Sequence, residues 1–155
     1  MGTGKTGRIL NTNGSAYTVS EFALVHSNEG DFTKPIRRRD RLRLKGGGHG
    51  QDGMDLLDKY GIQYNILTTY SNGVRVGNIP DHKDGRKRAG IGQSWFPKSW
   101  SANDIHQAGE YVAKLKDNLN VPDGQAVYGM YKGVRVGVMR TNGKIATIFP
   151  DSEQP

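Results

Sequence analysis

The strongest constraint on the fold lies near the C-terminus. Residues 126–131, 134–140 and 144–149 are three short runs rich in Val, Ile, Tyr and Met. They are separated by Lys132-Gly133 and by Thr141-Asn142-Gly143, which suit tight turns between paired strands. Together they predict an antiparallel three-strand meander. Such a sheet needs a cover for its apolar face, and the preceding segment supplies one. Ser101 and Asp104 form an S-x-x-D capping signature. Ile105, Ala108, Val112, Leu115 and Leu119 then mark one helical face, with Lys114 and Lys116 in the last turns and residues 120–124 closing the helix.

The first half repeats this logic less clearly. Residues 64–79 read as a hairpin around Asn72-Gly73, a dipeptide that suits a type I′ turn. Residues 51–60 read as a short helix carrying Met54, Leu57 and Tyr60, with Gly61 as its stop. Residues 41–45 alternate like a strand and run into Gly46-Gly47-Gly48-His49-Gly50, while residues 80–92 form a polar, Gly-rich loop. Residues 1–35 are the least legible: 7–10 and 16–25 read as strands, with Asn13-Gly14 as a turn between them. Gly2-Thr3-Gly4-Lys5-Thr6 is half of a phosphate-binding loop and lacks the earlier glycine and strand that the motif needs. Gly-Val-Arg-Val-Gly occurs at 73–77 and again at 133–137, each time after a turn. The expected architecture is therefore α+β, a single domain over 1–155 with lobes at about 1–92 and 93–155, each a small antiparallel sheet with a helix.

Charge narrows the partner. The 155 residues carry 22 Lys+Arg against 15 Asp+Glu, formally +7. The excess is clustered: residues 36–45 hold six basic residues and one acid, and residues 82–88 hold four basic residues and one acid. Such clustering favours a polyanion, nucleic acid before an anionic membrane. Cysteine is absent, which excludes disulfides, zinc–thiolate sites and cysteine nucleophiles. No apolar run approaches the roughly 18 residues of a membrane span.

Four histidines are candidates for chemistry. His106 falls on the flank of the capped helix and reads as a surface residue; His26 lies in the illegible segment and receives no role. His49 and His82 each lie in a loop near a cationic cluster, where catalytic groups concentrate. Two imidazoles in a cationic pocket suit phosphodiester transfer. One removes a proton from the attacking hydroxyl, the other protonates the leaving oxygen, and a nearby cation or amide stabilises the charge on phosphorus. The chain has no paired Asp/Glu cluster of the kind that holds two metal ions. A metal-independent RNA nuclease is one reading, and a non-catalytic basic RNA-binding module is the alternative.

Four motifs in order, LKGGGHG, NGVRVGNIPDHK, GQSWFPKSW and NGKIATIFP, resemble the bacterial branch of the EndoU nuclease family over roughly residues 40–152. The resemblance implies a two-lobed α+β nuclease fold, and with no paired Asp/Glu cluster in the chain no cofactor or metal is expected. It implies cleavage of RNA, with tRNA among the candidate substrates, by attack of the 2′-hydroxyl to leave a 2′,3′-cyclic phosphate. It also implies the C-terminal warhead of a polymorphic toxin, secreted as part of a larger protein, acting in the target-cell cytoplasm and blocked by a cognate immunity protein, here expected to be acidic. His49 matches the first catalytic histidine and His82 the second. Thr147 and Phe149 match the strand that meets the nucleotide, on one face by alternation. Many members carry a lysine where this chain has Gln93, just before Ser94. Lys87, Arg88 or Lys98 could supply the missing cation, and Lys87 is taken as the catalytic one. Gln93, Ser94, Arg86 and Arg88 are expected to bind substrate. Trp95 and Trp100 either stack on bases or belong to the core.

Overall fold

The computed structural model describes residues 13–155. The chain runs α1 (Glu21–Asn28), β1 (Asp31–Phe32), β2 (Leu44–Gly46), α2 (Gln51–Lys59), β3 (Asn65–Thr69), β4 (Arg75–Asn78), β5 (Gln93–Trp95), α3 (Ala102–Ala113), β6 (Val127–Tyr131), β7 (Val134–Thr141) and β8 (Lys144–Pro150). All strand pairs are antiparallel, in sheets ordered β1-β2, β3-β4-β5 and β6-β7-β8.

The meander forms as the sequence predicts. Lys132 and Asn142 adopt positive φ, each followed by a glycine at positive φ, so both links are of the tight hairpin kind. The turn at Asn72-Gly73 differs from expectation. Only Gly73 has positive φ, and the Asn72 side chain instead accepts from the Val74 amide. The capping box at Ser101 and Asp104 is present with both reciprocal hydrogen bonds. Helix α3 ends at Ala113, earlier than its apolar spacing suggests. The chain turns extended at Leu115, and the Asn118 amide caps the helix end by donating to the Val112 carbonyl.

Residues 16–25 do not form a strand. The Ser20 hydroxyl accepts from the Ala23 amide, and α1 begins at Glu21. The stretch at 7–10 and the half-motif at 2–6 lie outside the described residues. Two apolar cores result. One joins α1 (Ala23, Leu24), β4 (Val76), α3 (Ile105, Val112) and the meander (Val136, Ile148); the other gathers Leu44, Met54, Leu57, Ile62, Ile79 and Trp95. The cores therefore do not divide the chain at residue 92. Helix α1 and the start of β4 belong with the C-terminal sheet. Trp95 is fully buried against Tyr64, and Trp100 stacks on Phe96 at 5.0 Å between ring centres, so both tryptophans are core residues.

Candidate active site

The site is built where the end of α1 meets the Gly-rich loop. The amides of Gly48, His49 and Gly50 donate in turn to the carbonyls of His26, Ser27 and Asn28. This short ladder sets the two histidines side by side. It demands glycine at 47, where φ is +67° and a Cβ would fall 1.9 Å from the His26 carbonyl oxygen. The Ser27 hydroxyl accepts from the Ile148 amide, which draws β8 against the same helix end and brings Thr147 up to His26.

The resulting cavity, about 570 Å³, is lined among others by His26, His49, Lys87, Tyr128, Thr147 and Phe149. His49 is 5% exposed and held on three sides. Its amide donates to Ser27, its carbonyl accepts from Phe96, and Nδ1 lies 2.8 Å from the Ser94 carbonyl. A carbonyl only accepts, so Nδ1 carries the hydrogen and Nε2 keeps a lone pair for the cavity. Burial, reinforced by the nearby Lys87 charge, pushes the His49 pKa down to about 3, so the ring is neutral near pH 7. Its ring centre lies 6.0 Å from that of Phe149.

His26 is oriented differently. Nδ1 lies 2.6 Å from Asp31 Oδ2 and Nε2 lies 3.3 Å from the Thr147 hydroxyl. The carboxylate fixes a hydrogen on Nδ1 and offers a counter-charge when both ring nitrogens are protonated.

Lys87 lines the cavity from a short 3₁₀ turn (Gly85–Lys87) whose N-terminus is capped by Asp84. Its Nζ lies 3.4 Å from the Gly92 carbonyl and 3.5 Å from Gln93 Oε1, and burial lowers its pKa. Arg86 also lines the cavity and is paired with Asp84 at 2.7 Å. Ser94 reaches the site through its backbone carbonyl; its hydroxyl donates to the Pro150 carbonyl and ties β5 to β8.

Three expected site residues lie elsewhere. His82 is 0% exposed and does not line the cavity. Its Nδ1 accepts from the Asp84 amide at 2.8 Å, so the hydrogen sits on Nε2, which is buried without a partner. Arg88 spends its guanidinium on the carbonyls of His82 and Lys83. Gln93 is also 0% exposed; its Nε2 donates to the Gly47 carbonyl, so it braces the Gly-rich loop and Lys87 and does not face the cavity. His26, Asp31 and Tyr128 join the site although no sequence motif marks them. The available signal is a capping serine before an acidic residue, Ser20-Glu21, which marks the start of the helix that carries His26 in its last turn.

The model of the family described as bacterial EndoU nuclease matches residues 21–152. No curated protein and no solved structure matches the chain. With a match over most of its length and two histidines and a lysine gathered around one cavity, the chain belongs to the bacterial EndoU nuclease family and is an endoribonuclease.

Proposed function

We propose that this protein is a metal-independent RNA endonuclease in which His49 is the general base and His26 the general acid. The observation that carries the assignment is the shared cavity. His49 offers a lone pair on Nε2, His26 presents Nε2 beside Thr147, and Lys87 stands by as the cation. His49 Nε2 takes the proton of the 2′-hydroxyl, and that oxygen attacks the adjacent phosphorus. The bond from phosphorus to the 5′-oxygen breaks, and His26 Nε2 gives its proton to the leaving oxygen. The products are a 2′,3′-cyclic phosphate and a 5′-hydroxyl end. Lys87 neutralises the charge that builds on the non-bridging oxygens, the role for which the family's lysine at position 93 is missing.

Thr147, Phe149 and Tyr128 form the wall where the nucleotide lies. Phe149 has no hydroxyl and acts by stacking, while Tyr128 lies nearly perpendicular to it at 6.1 Å and carries the Arg135 guanidinium over its ring at 4.6 Å. His82 is replaced as second catalytic histidine by His26, because its free nitrogen is sealed away from the cavity.

The wider reading is a nuclease toxin domain delivered as part of a larger secreted protein, acting on RNA, tRNA included, in the target cytoplasm. Its immunity partner is acidic and covers the basic cavity mouth. Among the described residues no helix is long and apolar enough to cross a membrane. The test is incubation with total RNA in EDTA and mapping of the new ends. Cyclic phosphate ends support the reading; loss of cleavage in EDTA, or linear 3′-hydroxyl ends, contradict it.

A further inference from the structure

The basic run at 36–45 takes no part in the cavity, yet it is connected to it. It forms the long excursion of the β1–β2 hairpin. The base of this hairpin supplies Asp31, the partner of His26, and Gly46, a lining residue of the cavity. The segment 81–88 packs along its side. The Lys83 amide donates to the Leu44 carbonyl, Arg41 pairs with Asp81 at 2.6 Å, and Arg43 donates to the Asp81 carbonyl. The same segment reaches the catalytic cavity four residues later, at Lys87. The segment that carries Lys87 into the cavity therefore also packs against the basic loop.

The loop is also concave. A hollow of about 480 Å³ is lined by Lys34, Arg37, Arg39, Arg41, Arg43 and Lys83, with Asp40 the one acid among its lining residues. Asp40 is held by Arg37 at 3.2 Å, and Asp81 by Arg41 and Arg43. Among the described residues, Lys34, Arg38, Arg39 and Lys83 have no acid within ion-pair distance. Two carboxylates therefore face six cations around the hollow, and the surplus is presented outward. Planar guanidinium groups on an exposed loop suit phosphate oxygens better than isolated ammonium groups do.

We propose that residues 34–43 together with Lys83 form a second phosphate-binding site, which holds the RNA backbone beyond the nucleotide seated in the catalytic cavity. The proposal rests on RNA being the substrate. It makes the loop the element that favours long RNA over short oligonucleotides. Arg37, Arg38 and Arg39 are all exposed, so replacing them disturbs no core packing.

The test measures binding without cleavage, so it stands apart from the catalytic assignment. A 2′-O-methyl RNA of about 12 nucleotides and a trinucleotide of the same chemistry are titrated against the wild type and the triple variant Arg37→Gln/Arg38→Gln/Arg39→Gln. In the wild type the longer RNA binds more tightly and with the steeper salt dependence. In the variant the affinity ratio of long to short RNA falls about tenfold, and the salt slope for the long RNA drops by about two, at ~0.7 per lost phosphate contact on a single strand. An unchanged ratio overturns the proposal, and so does an equal loss for both RNAs, which would place these arginines at the cavity itself. Failure of the catalytic reading would show separately, as intact unmodified RNA in the wild-type reaction.

Discussion

The Gly-rich loop around His49 and the loop of residues 80–92 around His82 share every coarse property. Each places a buried histidine beside Lys87, and in each burial, the largest cause, lowers the pKa, to about 3 for His49 and about 4 for His82. The difference is which nitrogen carries the hydrogen. His49 donates from Nδ1 to a carbonyl and turns a lone pair toward the cavity. His82 accepts at Nδ1 from the Asp84 amide and buries its N–H. The first arrangement leaves a lone pair available for the base role proposed for His49. The second closes a turn, and that turn carries Lys87, whose carbonyl accepts from Ile79 and whose amide donates to Asp84. A displaced pKa marks a buried titratable group; the hydrogen-bond partner decides whether it can do chemistry.

The same substitution at both positions breaks or upholds this contrast. His49→Asn removes the base and should lower the cleavage rate by about 10²–10⁴-fold. His82→Asn retains an acceptor for the Asp84 amide and should stay within about tenfold of wild type, provided circular dichroism shows a native fold. Equal losses in single-turnover cleavage would erase the distinction. Lys87→Met should cost about 10²–10³-fold, in the range for loss of one group that stabilises transition-state charge. Its loss should appear in kcat more than in KM, whereas a mere contribution to binding would raise KM alone.

Acid should act on both loops together. The unfolded chain protonates each histidine near pH 6.5, whereas the folded protein resists until about 3 or 4. Between those values the unfolded state binds more protons, so this stability is fully present above pH 6.5 and is lost as pH falls toward 3. For His49 alone the loss reaches about 2 kcal/mol by pH 5, at ~1.36 kcal/mol per unit. Denaturant melts at pH 7 and pH 5 measure it, and His49→Asn should flatten the difference. Equal stability at the two pH values would contradict the burial of neutral rings. Over the range where the fold persists, the acid limb of kcat/KM should lie well below 6.5, because His49 stays neutral there.

How legible each part was follows from how local its determinants are. The meander, the capped start of α3 and the helix after Gly50 depend on turn dipeptides, caps and periodicity within a few residues, and the sequence displays them. Thr147 and Phe149 were named through the family resemblance of NGKIATIFP, and strand alternation adds only that they share one face. Helix α1 was not legible. Residues 16–25 are rich in β-branched and aromatic side chains, and packing against α3 and β8 overrides that weak preference. His26 became a site residue only through the ladder between residues 26–28 and 48–50, a pairing across more than 20 positions that no local signal announces. Its rival His82 has a matching sequence environment, and the amide that turns its ring inward is that of Asp84, two residues on.

The central claim is that His49 and His26 work on opposite ends of the scissile phosphodiester. It is tested by replacing the 5′-bridging oxygen of the substrate with sulfur. A thiolate departs without protonation, since a thiol near pKa ~8.5 is a far better leaving group than an alcohol. His26→Ala and His49→Ala, each shown folded, are compared on the oxygen and sulfur substrates in EDTA. The account predicts that both variants are slow on oxygen, that His26→Ala recovers most of the wild-type rate on sulfur, and that His49→Ala does not. A His26→Ala enzyme equally slow on both substrates, or as fast as wild type on oxygen, would contradict it.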